Sequence, residues 1–206
     1  TCTVTGGPGG NVCPNTQATF GVTISGCQTP AYTWTITSNT SNAMIVGSNT
    51  GASVTVSSGT TCGSYTIQSS ILCAGCVTPI VCTQVVNVVD VTAPVITCAA
   101  QTTPINCPAT PTWVAPTATD ACDATLTISF VDSSTPGSCT GTYTATRTWT
   151  ATDDCNNTAT CSASIVVRDN TPPTITCANQ TTPINCPATP TWVAPTATDA
   201  CDATVS

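Results

Sequence analysis

Residues Thr142–Thr152 read TYTATRTWTAT, and this stretch decides the fold class. Threonine occupies every second position, so an extended chain places Tyr143, Arg147 and Trp149 on one face and the threonines on the other. Three further segments are rich in β-branched residues, and none of them shows the 3.6-residue period of a helix. We therefore predict an all-β protein. The three further strand candidates are Ser162–Arg168, Cys82–Val89 and Ala52–Ser57.

The chain contains a long internal repeat. Cys98–Thr125 and Cys177–Thr204 are identical at all but one position, and the same offset of 79 residues relates Asp90 to Asp169. A unit of this length is too long for one turn of a solenoid and suits one small β-sandwich. Before Asp90 the chain keeps the same order of cysteines in a diverged sequence. We predict three domains: residues 1–89, residues 90–168, and the N-terminal part of a further repeat over residues 169–206, which we expect to continue in a longer chain.

Composition indicates where the protein works. Sixteen of the 206 residues are cysteine, far more than a reducing cytosol tolerates, which indicates an extracellular or cell-surface location. No apolar run approaches the roughly 20 residues of a membrane-spanning helix, so we predict no direct membrane insertion. Nine acidic residues against two basic ones give a net charge of −7. This balance argues against nucleic acids and anionic membrane surfaces as partners.

Residue types that catalysis commonly uses are missing. The chain has no histidine, lysine or glutamate. Their absence excludes Ser–His–Asp and Cys–His arrangements, a lysine nucleophile and a glutamate general acid. We therefore predict that the chain is not an enzyme.

Three segments of the second domain resemble the hyalin repeat (HYR) family: Asp90–Cys98 (DVTAPVITC), Ala115–Asp120 (APTATD) and Thr150–Val167 (TATDDCNNTATCSASIVV). Residues 1–89 look more like the PKD-type Ig-like modules that accompany such repeats. One departure is Asn156-Asn157, where the family usually has Gly-Asn. The resemblance implies tandem Ig-like β-sandwich domains and a role in adhesion. The near-identical copies and the threonine-rich, lysine-free composition resemble giant surface adhesins of Bacteroidota, including those of gliding motility.

The shared cysteine order suggests one disulfide scheme for both complete domains. The first cysteine would join the sixth, the second the fourth and the third the fifth; six cysteines allow 15 connectivities, so this scheme is a hypothesis. Small domains with few aromatic residues have a thin core, which makes such bridges important for stability. The scheme gives Cys98–Cys161, Cys107–Cys139, Cys122–Cys155, Cys2–Cys82, Cys13–Cys62 and Cys27–Cys76.

Cys73 is the extra cysteine of the first domain. With Cys76 it forms a C-x-x-C motif, which redox and zinc sites use. No helix, second C-x-x-C motif or histidine supports either role. Local pairing, pairing with a neighbouring chain segment and a free thiol stay open for Cys73.

Four carboxylates surround two of the cysteines. Asp120 and Asp123 flank Cys122, and Asp153 and Asp154 precede Cys155. If Cys122 and Cys155 were bonded, the four carboxylates would gather at one end of the sandwich, where oxygen ligands suit Ca²⁺. The alternative is that these aspartates accept backbone N–H groups in tight turns. We predict no other cofactor.

One basic residue shares a strand face with aromatic side chains. If this face points inward, Arg147 must stack on an aromatic ring such as that of Trp113 or pair with an aspartate, because an unpaired buried charge is too costly. We expect the tryptophans to lie in the core, with stacking on a sugar as the alternative. They are Trp34, Trp113, Trp149 and Trp192.

The function we predict is structural. The chain would be a disulfide-stabilised stalk segment of a long secreted or cell-surface adhesin or filament. Its partners would be neighbouring repeats of the same chain, with surface glycans and other filament chains as further candidates. The alternatives are a glycan- or protein-binding Ig-like module and an accessory domain of a larger secreted enzyme.

Overall fold

The computed structural model describes residues 1–180, 182–202 and 204–205. Thr181, Ala203 and Ser206, all in the third predicted domain, lie outside the described residues. Over the described ranges the regular structure consists of β-strands, which confirms the predicted all-β class, and no helix there is long and apolar enough to cross a membrane.

Fifteen strands are described, and they include all four strands predicted from the sequence, as β5, β7, β12 and β13. Their bounds are β1 (Cys2–Gly6), β2 (Gln17–Ile24), β3 (Ala31–Thr37), β4 (Met44–Val46), β5 (Ser53–Ser57), β6 (Gly63–Leu72), β7 (Ile80–Val88), β8 (Val95–Thr97), β9 (Ile105–Asn106), β10 (Thr117–Thr119), β11 (Thr127–Pro136), β12 (Tyr143–Thr152), β13 (Thr158–Arg168), β14 (Thr174–Thr176) and β15 (Thr196–Thr198).

The chain folds into two compact units. Unit 1 consists of Thr1–Ile96, Ala118–Ser129 and Thr150–Thr160, and unit 2 consists of Thr97–Thr117, Phe130–Trp149 and Cys161–Ser206. Each unit takes segments from the second sequence repeat. The domain boundaries expected from the repeats, after residues 89 and 168, stay predictions.

Strands β1–β7 of unit 1 form a two-sheet sandwich. One sheet has the order β1-β2-β5-β4 and the other has the order β3-β6-β7. With the strands lettered A to G in chain order, these sheets are ABED and CFG, which is the strand order of a constant-type immunoglobulin domain. The N-terminal sandwich is therefore Ig-like.

The core of this sandwich follows from residue alternation. Along β6, the residues Tyr65, Ile67, Ser69 and Ile71 are buried, and the residues between them are more accessible. Trp34 on β3 lies directly opposite Ser69, so that the largest side chain of the core faces a small one across the sheet. The indole Nε1 of Trp34 donates a hydrogen bond of 2.9 Å to the carbonyl oxygen of Gly51.

The second repeat builds a smaller set of strands. Its main sheet has the order β11-β12-β13-β9, in which the short β9 pairs parallel with the end of β13, and β8 pairs with β10. The copied sequence forms the same short pair again as β14 with β15. The local sequence thus specifies this pair in both copies.

The four tryptophans, all expected in the core, differ in their exposure to solvent. Trp34 and Trp149 are buried as predicted, and Trp113 packs edge-to-face on Trp149 with 5.7 Å between ring centroids. Trp192, the copy of Trp113, is 82% exposed, so its predicted place in the core is wrong. The rings and the guanidinium that cover Trp113 come from β12, and the described part of residues 169–206 has no strand that corresponds to β12.

Adjacent valines on β7 provide a test of the N-terminal sandwich. Val86 is 2% exposed and Val85 is 64% exposed. We expect Val86→Ala to lower the free energy of unfolding by about 2 kcal/mol, because it removes two buried methyl groups and leaves a cavity. Val85→Ala should change it by less than about 0.5 kcal/mol. Urea denaturation of the oxidised protein measures both; equal losses in the two variants would contradict this packing.

Candidate functional site

Six disulfides form within the described residues. Two of them, Cys2–Cys82 and Cys98–Cys161, are pairs that the cysteine scheme proposes. Each of these bridges joins the beginning and the end of one sequence repeat. They close loops with sequence separations of 80 and 63 residues.

The remaining four bridges correct the scheme. Three of them join different sequence repeats, because turns of one repeat lie beside cysteines of another; the Cα–Cα distances of 5.1–5.8 Å lie in the range of disulfides. The expected pairs Cys13–Cys62, Cys27–Cys76, Cys107–Cys139 and Cys122–Cys155 are therefore not formed. The observed pairs are Cys13–Cys122, Cys62–Cys155, Cys27–Cys73 and Cys107–Cys201.

Strand register explains why Cys27 joins Cys73 and not Cys76. Ala31 on β3 lies opposite Leu72 on β6, and the N–H of Ala74 donates to the carbonyl oxygen of Gln28 at 3.1 Å. The residue just after β6 therefore lies beside the residues just before β3. Among the described residues, four cysteines are unpaired and exposed: Cys76, Cys139, Cys177 and Cys186.

The inter-repeat bridges hold two acidic turns in unit 1, one containing Cys122 and the other Cys155. A carboxylate oxygen from each of Asp90, Asp120 and Asp153 lies within 4.8 Å of the other two. We call these three residues the carboxylate cluster. Asp90 and Asp153 are buried, and Asp120 is partly exposed.

Each member of the cluster also caps a turn. Asp120 Oδ1 accepts the N–H of Cys122 at 2.8 Å and that of Asp123 at 3.1 Å. Asp90 Oδ1 accepts the N–H of Thr92 at 2.8 Å. The Oδ1 atoms of Asp90 and Asp120 therefore accept backbone N–H groups in tight turns, as the turn-capping alternative expects for an aspartate.

The turn that contains Asp153 connects it to Asp90. Asp153 Oδ1 accepts the backbone N–H groups of Cys155 and Asn157 at 2.9 and 2.8 Å. The side-chain Nδ2 of Asn157 donates to Asp153 Oδ2 at 2.8 Å and to the carbonyl oxygen of Asp90 at 3.0 Å. Asn156 has a φ of 68°, a left-handed conformation that glycine and asparagine adopt most readily, so asparagine can stand where the HYR pattern has glycine.

The other two predicted calcium ligands have different surroundings. Asp123 accepts the N–H of Thr125 at Oδ1 and the N–H of Asp154 at Oδ2, both at 2.9 Å, so it braces one acidic turn against the other. Burial, together with the charges of Asp123 and Asp153, raises the pKa of Asp154 above its usual value, while a hydrogen bond from Asn15 opposes the shift. The structure therefore groups Asp120 and Asp153 with Asp90 and not with Asp123 and Asp154. Sequence reasoning placed Asp90 only at a domain junction.

Unit 1 has no basic side chain to balance this charge. Its three segments contain five aspartates and no arginine, lysine or histidine. Backbone N–H groups are the hydrogen-bond donors that the carboxylates mainly use. The cluster thus brings three carboxylates together in a part of the fold that the disulfides Cys13–Cys122 and Cys62–Cys155 cross-link.

Arg147 in unit 2 meets both conditions set out for it in the sequence analysis. Its Nε and Nη2 donate to the two carboxylate oxygens of Asp132 at 2.6 and 2.7 Å. Its guanidinium carbon lies 3.7 Å from the ring centroid of Phe130 and 5.2 Å from that of Trp113. The hydrogen bonds with Arg147 lower the pKa of Asp132, and they raise the pKa of Arg147.

Trp113, Asp132 and Arg147 are among the residues that line an open cleft of about 400 Å³ in unit 2. Trp113 and Tyr143 provide aromatic surface, and Asp132 and Arg147 provide paired hydrogen-bonding groups. Pockets of this volume that combine aromatic walls with a few polar groups are typical ligand sites.

Comparison with known proteins adds two similar solved structures. No family model matches the chain, and no curated protein is significantly similar to it. The fibronectin(III)-like modules of Clostridium thermocellum CbhA share 15% identity over 81% of this chain and 93% of that chain, with a TM-score of 0.32. The protocadherin gammaB7 EC3-6 cis-dimer structure shares 15% identity over 88% of this chain and 54% of that chain, also with a TM-score of 0.32. The Ig-like assignment rests on the strand order of the N-terminal sandwich.

We predict that the Asp132–Arg147 pair contributes to the stability of unit 2 in a pH-dependent way. Because the folded-state pKa of Asp132 is lowered, its contribution is present above the ordinary aspartate pKa of about 4 and is lost as the pH falls through the lowered value. We expect Asp132→Asn to lower the melting temperature by a few degrees at pH 7 and by much less near pH 2. Differential scanning calorimetry at the two pH values measures this. An equal decrease at both would show that the charge of Asp132 does not contribute.

Proposed function

We propose that this chain is a structural segment of a long secreted or cell-surface adhesin or filament, in which tandem Ig-like domains form a stalk. The observation that carries the proposal is the covalent connection of successive sequence repeats. Cys13–Cys122 and Cys62–Cys155 join residues 1–89 to residues 90–168, and Cys107–Cys201 joins residues 90–168 to residues 169–206. Such connections suit a stalk, because they limit how far the chain extends when tension acts along it.

The bridges leave little chain free to extend under tension. A pull on the two ends passes from Cys2 to Cys82, along the backbone to Cys107, and from there to Cys201. The backbone on this path amounts to roughly 30 residues, with an extended length of about 110 Å. The reduced chain of 206 residues would extend to about 700 Å. The disulfides therefore shield most of the strands from unfolding by force.

Composition supports the other parts of this proposal. Six disulfides are typical of proteins from an oxidising compartment, which supports an extracellular location for the proposed stalk. The absence of histidine, lysine and glutamate fits a structural role and not catalysis. The resemblance to HYR repeats supports a role in adhesion, and the near-identical tandem copies with their threonine-rich, lysine-free composition extend the proposal to adhesins of Bacteroidota and to gliding motility.

Single-molecule force spectroscopy on the whole chain tests the proposal. With handles at the two ends, we expect the oxidised chain to reach a contour length of about 110 Å and the reduced chain about 700 Å. The double variant Cys107→Ser/Cys201→Ser should reach about 210 Å, since tension then passes through Cys98–Cys161 and roughly 60 residues become extendable. An oxidised wild-type chain that extends as far as this variant would contradict a covalent connection to the last repeat.

The cleft of unit 2 favours a second candidate, a glycan-binding module. Trp113 and Tyr143 give this cleft an aromatic lining that could contact a sugar ring, and Asp132 and Arg147 give it groups that could hydrogen-bond to hydroxyl groups. On a glycan array, we expect binding by the wild type, loss of binding in Tyr143→Ala, and retained binding in Trp192→Ala. Trp192 is an exposed tryptophan that does not line the cleft. If the wild-type chain binds no glycan, this candidate is eliminated.

A further inference from the structure

We propose that Asp90, Asp120 and Asp153 form a calcium site where the first and second sequence repeats meet. The three carboxylate oxygens that these residues offer lie within 4.8 Å of one another. Calcium binds oxygen at 2.3–2.6 Å, so two ligands of the same ion are at most about 5.2 Å apart. A Ca²⁺ ion at the centre of these three oxygens would lie at most about 2.8 Å from each of them, close to the calcium–oxygen distance.

The side chain of Asp90 provides a second, independent observation, because one of its oxygens has no hydrogen-bond partner in the described chain. Its side chain is only 8% exposed, and its Oδ2 is buried without a hydrogen-bond partner among the described residues. A buried carboxylate oxygen left in this state is costly, because it has lost its water and gained nothing in return. A bound cation would satisfy this atom directly.

Turn capping does not account for the cluster as a whole. The backbone N–H groups that Asp90 and Asp120 accept go to Oδ1 in both residues. The capping role thus uses Oδ1 of Asp90 and of Asp120, and Oδ2 of these two residues remains for a ligand, whereas Asp153 Oδ2 also accepts a hydrogen bond from Asn157 Nδ2. One set of aspartates can therefore shape the turns and bind an ion.

The donor set selects the class of metal. Zinc prefers thiolate and imidazole ligands, but the chain has no histidine, and the nearby Cys122 and Cys155 are in disulfides. Magnesium usually keeps several waters and one or two carboxylates, whereas calcium accepts six to eight oxygens in flexible geometry. Three carboxylates with no basic side chain in the same unit therefore fit calcium best.

Two bridges hold this site in place. Cys122 fixes the turn of Asp120 to Cys13, and Cys155 fixes the turn of Asp153 to Cys62. Asp90 follows directly from the last strand of the sandwich that carries Cys13 and Cys62. The carboxylates are thus brought together before any ion binds, which lowers the entropic cost of binding.

The repeated sequence supplies a matched control. Asp199 is the copy of Asp120 and caps the same turn, with hydrogen bonds of 2.7 and 3.1 Å from the N–H groups of Cys201 and Asp202. Asp169, the copy of Asp90, lies instead beside the Cys107–Cys201 disulfide. Asp199 therefore shares the local structure of Asp120 without belonging to a cluster of three carboxylates in the described chain.

Calorimetry on the whole oxidised chain tests the site. We titrate CaCl₂ into the EDTA-treated protein by isothermal titration calorimetry, and we measure melting temperatures in EDTA, in 5 mM CaCl₂ and in 5 mM MgCl₂. We expect binding of one calcium per chain, with a dissociation constant of about 10⁻⁴ M as in other extracellular modules. Calcium should raise the melting temperature by about 5 °C, and magnesium should raise it much less.

Three variants separate a calcium site from a purely structural role of the aspartates. Asp90→Asn and Asp120→Asn keep an oxygen that accepts the backbone N–H groups but remove the charge, so we expect both to abolish the calcium-induced rise. Asp199→Asn should leave the rise unchanged. In EDTA, the first two variants should melt at or above the wild-type temperature, because they relieve repulsion between carboxylates.

Either of two results would overturn the calcium proposal. One is a wild-type chain that gives no heat of binding and melts at the same temperature in calcium and in EDTA. The other is an equal loss of the calcium effect in Asp199→Asn and Asp120→Asn, which would indicate nonspecific binding to acidic turns. Because the test applies no force, its result does not depend on the stalk proposal.

Discussion

The covalent bridges between sequence repeats are the constraint on which the rest of this structure depends. Cys13–Cys122 and Cys62–Cys155 have sequence separations of 109 and 93 residues. In the chain-entropy model, closing a loop of this size stabilises the folded state by about 4–5 kcal/mol. The loops overlap, so their contributions do not add fully. A thin core of threonines, valines and few aromatic residues would give a much weaker connection by packing alone.

The two acidic turns of unit 1 connect the local backbone structure with the distribution of charge. The acidic turns use backbone N–H groups to shape themselves, and this leaves Asp90, Asp120 and Asp153 close together without a counterion from the unit. In unit 2 the opposite solution occurs, since Arg147 neutralises Asp132 and also covers aromatic rings. The second sequence repeat thus contains both arrangements, a group of carboxylates without a basic partner and an aspartate paired with an arginine.

Local patterns predict the elements of this fold better than they predict its connections. Alternation in Thr142–Thr152 was sufficient to predict β12, whereas the short strand pair that occurs in both copies of the repeat was not predicted. The disulfide partner of Cys13 could not be predicted from such a pattern, because the spacing of cysteines does not show whether a cysteine bonds within its own repeat or to the next one. Asp90 escaped notice for a related reason. Its neighbours come from turns far along the chain, and only the folded backbone brings them together.

The Cys107–Cys201 bridge has a consequence for biosynthesis. In a chain that leaves the cell with its amino end first, Cys107 has no partner until Cys201 follows 94 residues later. In each repeat, the cysteine that corresponds to Cys107 would then remain a free thiol until the next repeat has left the cell. Oxidation would advance from one repeat to the next in the direction of export, and a chain halted during export would display a reduced cysteine at its growing end.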